Sequence, residues 1–325
     1  MKQVTVGKND SGQRLDRFLS KMFPALSQGV ICKAIRNKRI KIGGKRTETS
    51  YKLTEGDEIQ LYLNDELLAP PPSADDFMAA GNQLTVVYED ENILLADKAP
   101  GLVVHEDEEN TADTLINRIK KYLFNKGEYS PENEQSFAPA LCNRIDRNTG
   151  GIVIAAKNAE ALRILNQKIK DRELDKKYLC VVAGKMPKKE ELMTAYLEKK
   201  ADKNLVTVSD RKTPANRTIK TRYRVLEQTD EMSLLEVDLL TGRTHQIRAH
   251  MAYVGHPLLG DGKYGKNQLN KQYGYKYQAL YSYKLKFTFT TDGGVLEYLN
   301  GREFSVSDIW FKDKFYQYKK GRNKK

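Results

Sequence analysis

Residues 141–157 read Leu141-Cys-Asn-Arg-Ile-Asp-Arg-Asn-Thr-Gly-Gly-Ile-Val-Ile-Ala-Ala-Lys157, and the rest of the chain is organised around them. The apolar run Ile152–Ala156 is long enough for a buried strand, and the Gly-Gly pair allows a tight turn just before it. This turn would hold Asp146 at the lip of a sheet. The stretch therefore predicts a buried strand with one acidic side chain at its entrance.

Asp146 lies between two arginines, Arg144 and Arg147. Neighbouring positive charge favours the ionised form of a carboxylate, so Asp146 suits a nucleophile or a base better than a proton donor. The same arginines could hold a phosphate backbone. The alternative is an aspartate in an ion-paired surface turn, and this stretch alone does not decide between the two.

A second polar stretch lies far along the chain, at Leu240-Thr-Gly-Arg-Thr-His-Gln-Ile-Arg-Ala-His-Met-Ala252, followed by Gly255-His-Pro-Leu-Leu-Gly-Asp-Gly-Lys-Tyr-Gly265. Together the stretches resemble the RluA family of RNA pseudouridine synthases. The family pattern runs H-R-L-D-x-x-T-S-G, K-x-Y, T-G-R-T-H-Q-I-R-x-H and G-H-P-x-x-G-D. The resemblance covers most of residues 83–311, with the motifs in the family's order.

This chain departs from the family pattern at three positions of the first motif. Asn143 stands where the family usually has His, Ile145 where it has Leu, and Gly150 where it has Ser. The Asp, its preceding Arg and the Thr are kept. The departures bear on details of the motif more than on activity.

The resemblance implies roles for four residues. Asp146 would be catalytic, and Arg248 would be the arginine that pairs with it. Tyr178, in the sequence Lys176-Lys-Tyr, would stack on the uracil ring, although a core tyrosine is the commoner use of such a residue. Arg144 could occupy the gap that a flipped-out base leaves.

The stretch around Arg248 adds three residues that would shape the site or contact RNA: Arg243, His245 and Gln246. On a strand, Gln246 and Arg248 would share a face. His245 and His250 are five residues apart and converge neither on a strand nor on a helix, so no metal site is expected. Asp261, within Gly-Asp-Gly, is expected to form a turn.

The N-terminal residues 11–62 read as a compact module of two helices and short strands. Ser27 is a suitable N-cap for the second helix, and the order of elements resembles the S4 RNA-binding domain. In that family the second helix and the following loop face RNA. The residues implied here are Lys33, Arg36, Lys38, Arg39 and Lys41. The alternative is an amphipathic helix whose basic face is only solvated.

The charge distribution favours a polyanionic partner. The chain has 325 residues and a formal net charge of +12, and its positive charge is concentrated at the two ends. Three widely spaced cysteines suit neither a disulfide framework nor a zinc knuckle. No apolar run of about 18 residues is present. We expect a cytoplasmic protein without cofactor or metal, and a monomer, although the sequence does not reveal the oligomeric state. Its partner would be RNA, ribosomal RNA ahead of transfer RNA.

The expected fold is mixed α/β, of the α+β type. A small S4-like domain (1–64) and a linker (65–82) precede a catalytic domain with a mostly antiparallel mixed sheet (83–311). A basic tail (312–325) follows, in which Tyr316 and Tyr318 stand among lysines and disorder is the expectation. No role is assigned to residues 185–220.

Three functions fit these patterns. A pseudouridine synthase would use Asp146 either to attack C1′ of the target uridine or to remove its 2′ proton, and the sequence does not choose. A non-catalytic RNA-binding or ribosome-assembly factor would keep the basic ends of the chain, and Asn143 would then mark a catalytic site that has lost its activity. An RNA glycosidase would release free uracil, but ordinary glycosidases use two carboxylates, and only Asp146 has a motif.

Overall fold

The structure is a computed structural model that describes residues 1–69, 75–105, 111–200 and 205–322. It has the expected mixed α/β character. The strands are β1 (Lys2–Thr5), β2 (Ile40–Ile42), β3 (Lys45–Arg46), β4 (Glu58–Leu61), β5 (Thr85–Glu89), β6 (Ile93–Lys98), β7 (Ala140–Leu141), β8 (Gly150–Ala156), β9 (Leu174–Ala183), β10 (Glu190–Lys200), β11 (Leu205–Ser209), β12 (Arg217–Gln228), β13 (Met232–Leu239), β14 (Leu280–Phe287) and β15 (Glu303–Ser305). The helices are α1 (Leu15–Met22), α2 (Gln28–Arg36), α3 (Leu115–Asn125), α4 (Ala159–Lys170), α5 (Gln246–Tyr253), α6 (Asn267–Gln272) and α7 (Trp310–Arg322).

The N-terminal unit packs α1 and α2 on a four-stranded antiparallel sheet of order β1-β4-β2-β3. Its core is aliphatic and aromatic and includes Phe18, Ile31 and Ile59, all fully buried. As expected, Ser27 caps α2, since its hydroxyl accepts a hydrogen bond from the backbone N–H of Val30. The apolar faces of both helices are thus turned inward, and the basic residues of α2 face solvent.

The second unit is built on one large sheet of order β11-β10-β12-β13-β9-β14-β8-β6-β5, with β15 beside β14 and β7 beside β8. Among the described strands, only β14 and β8 pair in parallel. Residues 185–200 and 205–220 include β10, β11 and the start of β12, which extend one edge of this sheet. The sheet is therefore mostly antiparallel, as expected.

The two glycines of the first motif begin β8 instead of forming a turn before it. Gly151 has φ +116° and lies against the backbone of Ser282 in β14, where a Cβ atom would come within 2.2 Å of the carbonyl oxygen. A Cβ atom on Gly150 would lie 2.3 Å from the ring of Tyr281. The glycines are needed because two strands meet closely here, and the predicted tight turn at this position is wrong.

Helices cover both faces of the sheet. On β9, Tyr178 packs with the α5 side, whereas Val181 packs with α7. Helix α3 begins at Leu115, because the Thr114 hydroxyl accepts the backbone N–H of Asn117 and caps the helix. The expectation of a disordered C-terminal tail is wrong: residues 310–322 form α7, and residues 323–325 lie outside the described part.

The stretch expected to be a linker contributes to both cores. Leu68 packs into the N-terminal core, and Phe77 packs against α3. Residues 70–74, with the proline run, lie outside the described residues. The exact domain limits stay a prediction. Within the described part of the chain, no helix combines the length and the apolar character needed to cross a membrane.

Candidate active site

The Asp146 loop is fixed where it enters β8. The backbone N–H of Thr149 donates to the carbonyl oxygen of Asp146 over 3.0 Å. The Thr149 hydroxyl in turn accepts a 2.6 Å hydrogen bond from the side-chain amide of Gln278, and both side chains are buried. The Thr of the motif thus fastens the loop to a segment more than a hundred residues away in the chain. This leaves the Asp146 side chain partly exposed, at 26 %.

Arg248 joins two carboxylates. Its Nη1 lies 2.7 Å from Oδ2 of Asp146, and its Nε and Nη2 donate to Asp261 over 2.7 and 2.9 Å. Burial alone would lower the pKa of Arg248, but the hydrogen bonds and charges of Asp261 and Asp146 outweigh it and raise that pKa. The guanidinium is therefore charged, held in a fork-to-fork pair on one side and aimed at Asp146 on the other.

Asp261 is the partner that sequence analysis undervalued. Its side chain is fully buried. It does form the expected turn, because Oδ1 accepts the backbone N–H groups of Lys263 and Tyr264. Burial would raise its pKa, but the hydrogen bonds from Arg248 lower it overall. The Gly-Asp-Gly sequence signalled only the turn; the pairing with Arg248 needed the fold.

The flanking arginines are not the ionic partners of Asp146. Arg144 and Arg147 are both exposed, and Nε of Arg147 donates to the carbonyl oxygen of Gly101 over 3.2 Å. Among the described residues, Arg248 is the arginine that forms an ion pair with Asp146. The two chain neighbours were predicted to be the ionic partners of Asp146, and this prediction is wrong, since the carboxylate pairs with Arg248.

Tyr178 lies at the base of the same site. It is 7 % exposed and belongs to the core on the α5 side of the sheet. Burial raises its pKa to about 12, with a smaller contribution from the negative charge of Asp146. The ring and the carboxylate are therefore near each other, with the phenol neutral. Stacking on a uracil stays a prediction.

The second motif forms a helix, so the strand geometry does not apply. Six consecutive residues of α5, from Gln246 to Met251, are buried. The amide of Gln246 is used within the protein: it accepts from Thr241 and donates to the carbonyl oxygen of Lys220. These internal hydrogen bonds favour a role of Gln246 in shaping the site over a contact with RNA, and both roles stay predictions. Arg243 is exposed beside it.

His245 opens α5 in a left-handed conformation, with φ +53°. Its Nε2 lies 4.0 Å from Oδ2 of Asp146, and its Nδ1 lies 2.9 Å from the hydroxyl of Tyr264. Burial lowers the pKa of His245, and the charge of Asp146 partly opposes this. An uncommon backbone conformation thus brings an imidazole beside the carboxylate.

Tyr264 connects the site to the edge of the sheet, and sequence analysis missed it. Its ring lies 5.3 Å from the guanidinium carbon of Arg248. Its hydroxyl accepts the backbone N–H of Val206 in β11 over 3.0 Å. The strands of residues 185–220 therefore support Arg248 indirectly. Their sequence gave no sign of this, because the contact is made by one backbone group.

Lys98 holds the Asp146 loop from the other side. It is 1 % exposed, and Nζ donates to the carbonyl oxygens of Ala99, Leu102 and Arg147 over 3.0, 2.7 and 2.8 Å. Burial lowers its pKa to about 7, against the charges of Asp146 and Asp97. The Lys-Ala-Pro-Gly segment is thereby tied to the residue that follows Asp146.

Asn143 anchors the Asp146 loop by a hydrogen bond. Oδ1 of Asn143 accepts the backbone N–H of Ile154 over 2.8 Å, beside the pairing of β7 with β8. The departure therefore leaves the loop anchored, with its Asp146 and Arg248 side chains in contact.

The basic residues of the N-terminal unit form a separate exposed surface. Lys33, Arg36, Lys38 and Arg39 are exposed on and after α2, and Lys41 is half-buried with its Nζ 5.5 Å from the ring of Tyr62. Tyr62 follows β4 and is 43 % exposed. In the described residues, no three His, Cys, Asp or Glu side chains form a group that could hold a metal ion.

A carboxylate beside a buried aromatic ring, on a sheet joined to a basic module, suits an enzyme that acts on a base of RNA. Family models agree. The RNA pseudouridylate synthase model matches residues 92–253, and the S4 domain model matches residues 13–59.

Known proteins align along most of the chain. An uncharacterised RNA pseudouridine synthase of Mycoplasma genitalium is 33% identical over 294 residues, 87% of this chain and 88% of the relative. The ribosomal large subunit pseudouridine synthase C of Escherichia coli is 29% identical over 308 residues, 91% of each chain. The solved human RNA pseudouridylate synthase domain containing 1 covers 70% of this chain and 84% of its own, at 20% identity and a TM-score of 0.56, which shows the shared fold. The chain belongs to the RNA pseudouridine synthases, isomerases that convert uridine in RNA to pseudouridine.

Proposed function

We propose that this enzyme modifies specific uridines of large-subunit ribosomal RNA and that Asp146 is its catalytic residue. The observation that carries the proposal is the 2.7 Å contact of Arg248 with Asp146, because it aims a partly exposed carboxylate into the site. Several relatives, including the Escherichia coli one, are named for the large ribosomal subunit. Transfer RNA is the second substrate to test. A monomer acting in the cytoplasm accords with this role.

The reaction breaks the bond between N1 of uracil and C1′ of the ribose, turns the base, and joins C5 to C1′. C5 then loses its proton and the freed N1 takes one up, so substrate and product have the same composition. The target base must leave its stack to reach Asp146. Arg144, exposed at the rim, would fill the gap that the base leaves.

Asp146 has two possible tasks in this reaction. Its carboxylate would attack C1′ and form a covalent intermediate, or it would remove the 2′ proton of the ribose. Either task requires an ionised carboxylate in a fixed position. Arg248 provides both conditions, because Asp261 holds it in place from the buried side.

Tyr178 would hold the detached uracil during the turn. A stacked base contributes about 1–3 kcal/mol and does not require a particular orientation within the plane. The neutral phenol, with a pKa of about 12, would not repel the base. Most of the affinity for RNA would come from the N-terminal surface of Lys33, Arg36, Lys38, Arg39 and Lys41. Arg243 would add a contact near the site.

The test is release of tritium from ribosomal RNA labelled at C5 of uridine, comparing the intact protein with Asp146→Asn. We expect release with the intact protein and none with the variant. Asp171→Asn, which alters an exposed carboxylate after α4, is the matched control and should retain release. If Asp146→Asn released C5 tritium at the rate of the intact protein, the proposal that Asp146 is catalytic would be refuted.

Chromatography of the products from the same reaction separates the remaining functions, because free uracil keeps its C5 tritium. Free uracil as product would indicate a glycosidase. No release from ribosomal RNA, with release from transfer RNA, would overturn the proposed substrate and leave Asp146 in place. The geometry of the site gives no support to a loss of catalytic activity, because Asn143 anchors the loop and the pair of Asp146 with Arg248 is intact.

A further inference from the structure

A cavity of about 300 Å³ lies on the face of the sheet opposite α5. It is bounded by the start of β13, by α6 with the turn after it, and by α7. Its lining residues are Met232, Gln272, Tyr273, Tyr275, Lys314 and Tyr318. On β13, Met232 is five residues before Val237, which pairs with Tyr178 of the active site. At about 3.4 Å per residue, the two sites are roughly 17 Å apart along the strand and on opposite faces.

The walls of this cavity are tyrosine rings held in fixed positions. Tyr273 and Tyr318 meet edge to face, with centroids 5.4 Å apart and an angle of 87°. Nζ of Lys314 lies 4.7 Å from the centroid of the Tyr275 ring and donates to the carbonyl oxygen of Gly274 over 2.5 Å. The volume is at the lower end of those of small-ligand sites. It suits one planar ring with its substituents.

Helix α7 provides one wall and is firmly docked. Phe311 and Phe315, one turn apart, are fully buried against β9 and β13. This anchoring places Lys314 and Tyr318 on the cavity side. The aromatic and basic composition of the C-terminal segment thus has a folded use, distinct from that of a charged tail.

Two of the three segments that border the cavity are basic, whereas Asp230 and Glu231 precede Met232 in the third, and Lys319 pairs with Glu227. Residues 264–278 and 310–322 together contain eight Lys and Arg and one acidic residue, Asp313. Lys271, Lys276 and Lys320 are exposed next to lining positions. Aromatic faces within a positive surface are what a single-stranded nucleic acid requires, because bases stack and phosphates need countercharge.

We infer that this cavity binds an unstacked base of a single-stranded RNA segment, with the surrounding lysines on the adjacent phosphates. The site is separate from the active site and from the N-terminal surface, so the inference goes beyond the proposed function. An acidic peptide would use the lysines but would leave the tyrosine faces without a matching partner. RNA uses both.

The chain contains a built-in reporter for this site. Trp310 is its single tryptophan, and its ring centroid lies 5.6 Å from that of Tyr275. Titration of the full chain with a short single-stranded RNA of mixed sequence should therefore change Trp310 fluorescence saturably. Labelled RNA followed by anisotropy gives total binding in the same sample.

Two substitutions test the rings. Tyr318→Leu and Tyr273→Leu should each abolish the fluorescence change and weaken binding of the short RNA roughly five- to one-hundredfold, since a stacked base contributes about 1–3 kcal/mol. Tyr298→Leu, at a tyrosine 43 % exposed elsewhere on the domain, is the matched control and should change neither. Lys314→Gln keeps the rings and should weaken binding without abolishing the fluorescence change.

The outcomes are distinct from those that test catalysis. Asp146→Asn should retain the full fluorescence change whether or not Asp146 is catalytic. Photocrosslinking of a 4-thiouridine-containing RNA, mapped by mass spectrometry, should label residues 273–275 or 314–318, which covers the case in which a leucine variant unfolds. RNA binding with no fluorescence change and no crosslink there would overturn the inference. A change caused by intact ribosomal particles but not by their purified RNA would assign the cavity to a protein partner instead.

Discussion

Two groups of positive charge in this molecule differ in almost every physical respect. Arg248 is 6 % exposed and fixed between two carboxylates, whereas the basic residues of α2 and its following loop face water. In the interior, an unpaired charge is expensive and a paired one is held rigidly. At the surface, each charge contributes little to folding but acts on a polyanion over a Debye length of about 8 Å at physiological salt.

The difference separates geometry from affinity. A buried, fully paired arginine gives Asp146 one position, which chemistry at a single carbon or proton requires. An exposed set gives attraction that depends on salt and tolerates many RNA conformations. Changes in the two regions should therefore have different consequences, both for folding and for RNA binding.

The largest effect is expected from Asp261→Asn. It leaves Arg248 in the interior with one of its two partners neutral, and removal of one member of a buried ion pair costs about 3–5 kcal/mol. Urea unfolding measures the loss. The matched control is Glu303→Gln, which breaks an exposed pair with Lys284 and should cost about 0–1 kcal/mol. Equal losses in the two variants would contradict the contrast between interior and surface.

His250 in α5 should make the free energy of unfolding fall in acid. Burial lowers the pKa of His250 from 6.5 to about 4. The unfolded chain therefore takes up a proton at higher pH than the folded one, so this stabilisation is complete above pH 6.5 and is lost as the pH falls towards 4. The difference corresponds to about 3 kcal/mol. His250→Asn should flatten the dependence of the urea midpoint on pH over this range; an unchanged slope would refute it.

Gly150→Ser tests how tightly the Asp146 loop is packed. The new side chain would meet the Tyr281 ring, and overpacking of a core typically costs about 1–3 kcal/mol. Thermal unfolding measures this cost. In a double-mutant cycle with Tyr281→Leu, the two changes should be less than additive, because the smaller residue makes room for the serine. Strict additivity would show that the contact does not limit this position.

The smallest effect concerns Lys38, whose φ of +59° is unusual for a residue other than glycine. Lys38→Gly should stabilise the protein by up to about 1 kcal/mol, because the left-handed conformation costs a side-chain-bearing residue about 1–2 kcal/mol. The same change should weaken RNA binding and reduce the slope of log K against log salt by about 0.7–0.9. Lys38→Asn, which tolerates this conformation, controls for the loss of charge. RNA affinity unchanged in both variants would remove Lys38 from the RNA-binding surface.

The sequence predicted the elements whose apolar pattern is simple. The β8 strand and the capped α2 helix are of this kind. It did not predict α5 as a helix, because six consecutive residues of α5 are buried and the stretch lacks an apolar stripe. It did not predict α7, because the segment is rich in lysine. Its two core residues, Phe311 and Phe315, are buried only by tertiary contacts.

The site was predicted in part for the same reason. Residues within one motif, such as Asp146, are visible in the sequence, and the resemblance linked Arg248 to it. The contacts of Asp261, Tyr264 and Gln278 join distant segments through single hydrogen bonds or ring contacts. No local pattern encodes such contacts, so the support of the site could only be seen in the fold.

The most direct test measures the single-turnover rate and the dissociation constant on the same ribosomal RNA for two variants. The first is Asp146→Asn, and the second combines Lys33→Gln, Arg36→Gln and Arg39→Gln. The account predicts that the first forms no pseudouridine but binds RNA as the intact protein does. The second should bind more weakly yet reach the intact rate at saturation. Loss of RNA binding in the first variant, or a lower saturating rate in the second, would contradict the claim that catalysis and RNA binding depend on different residues.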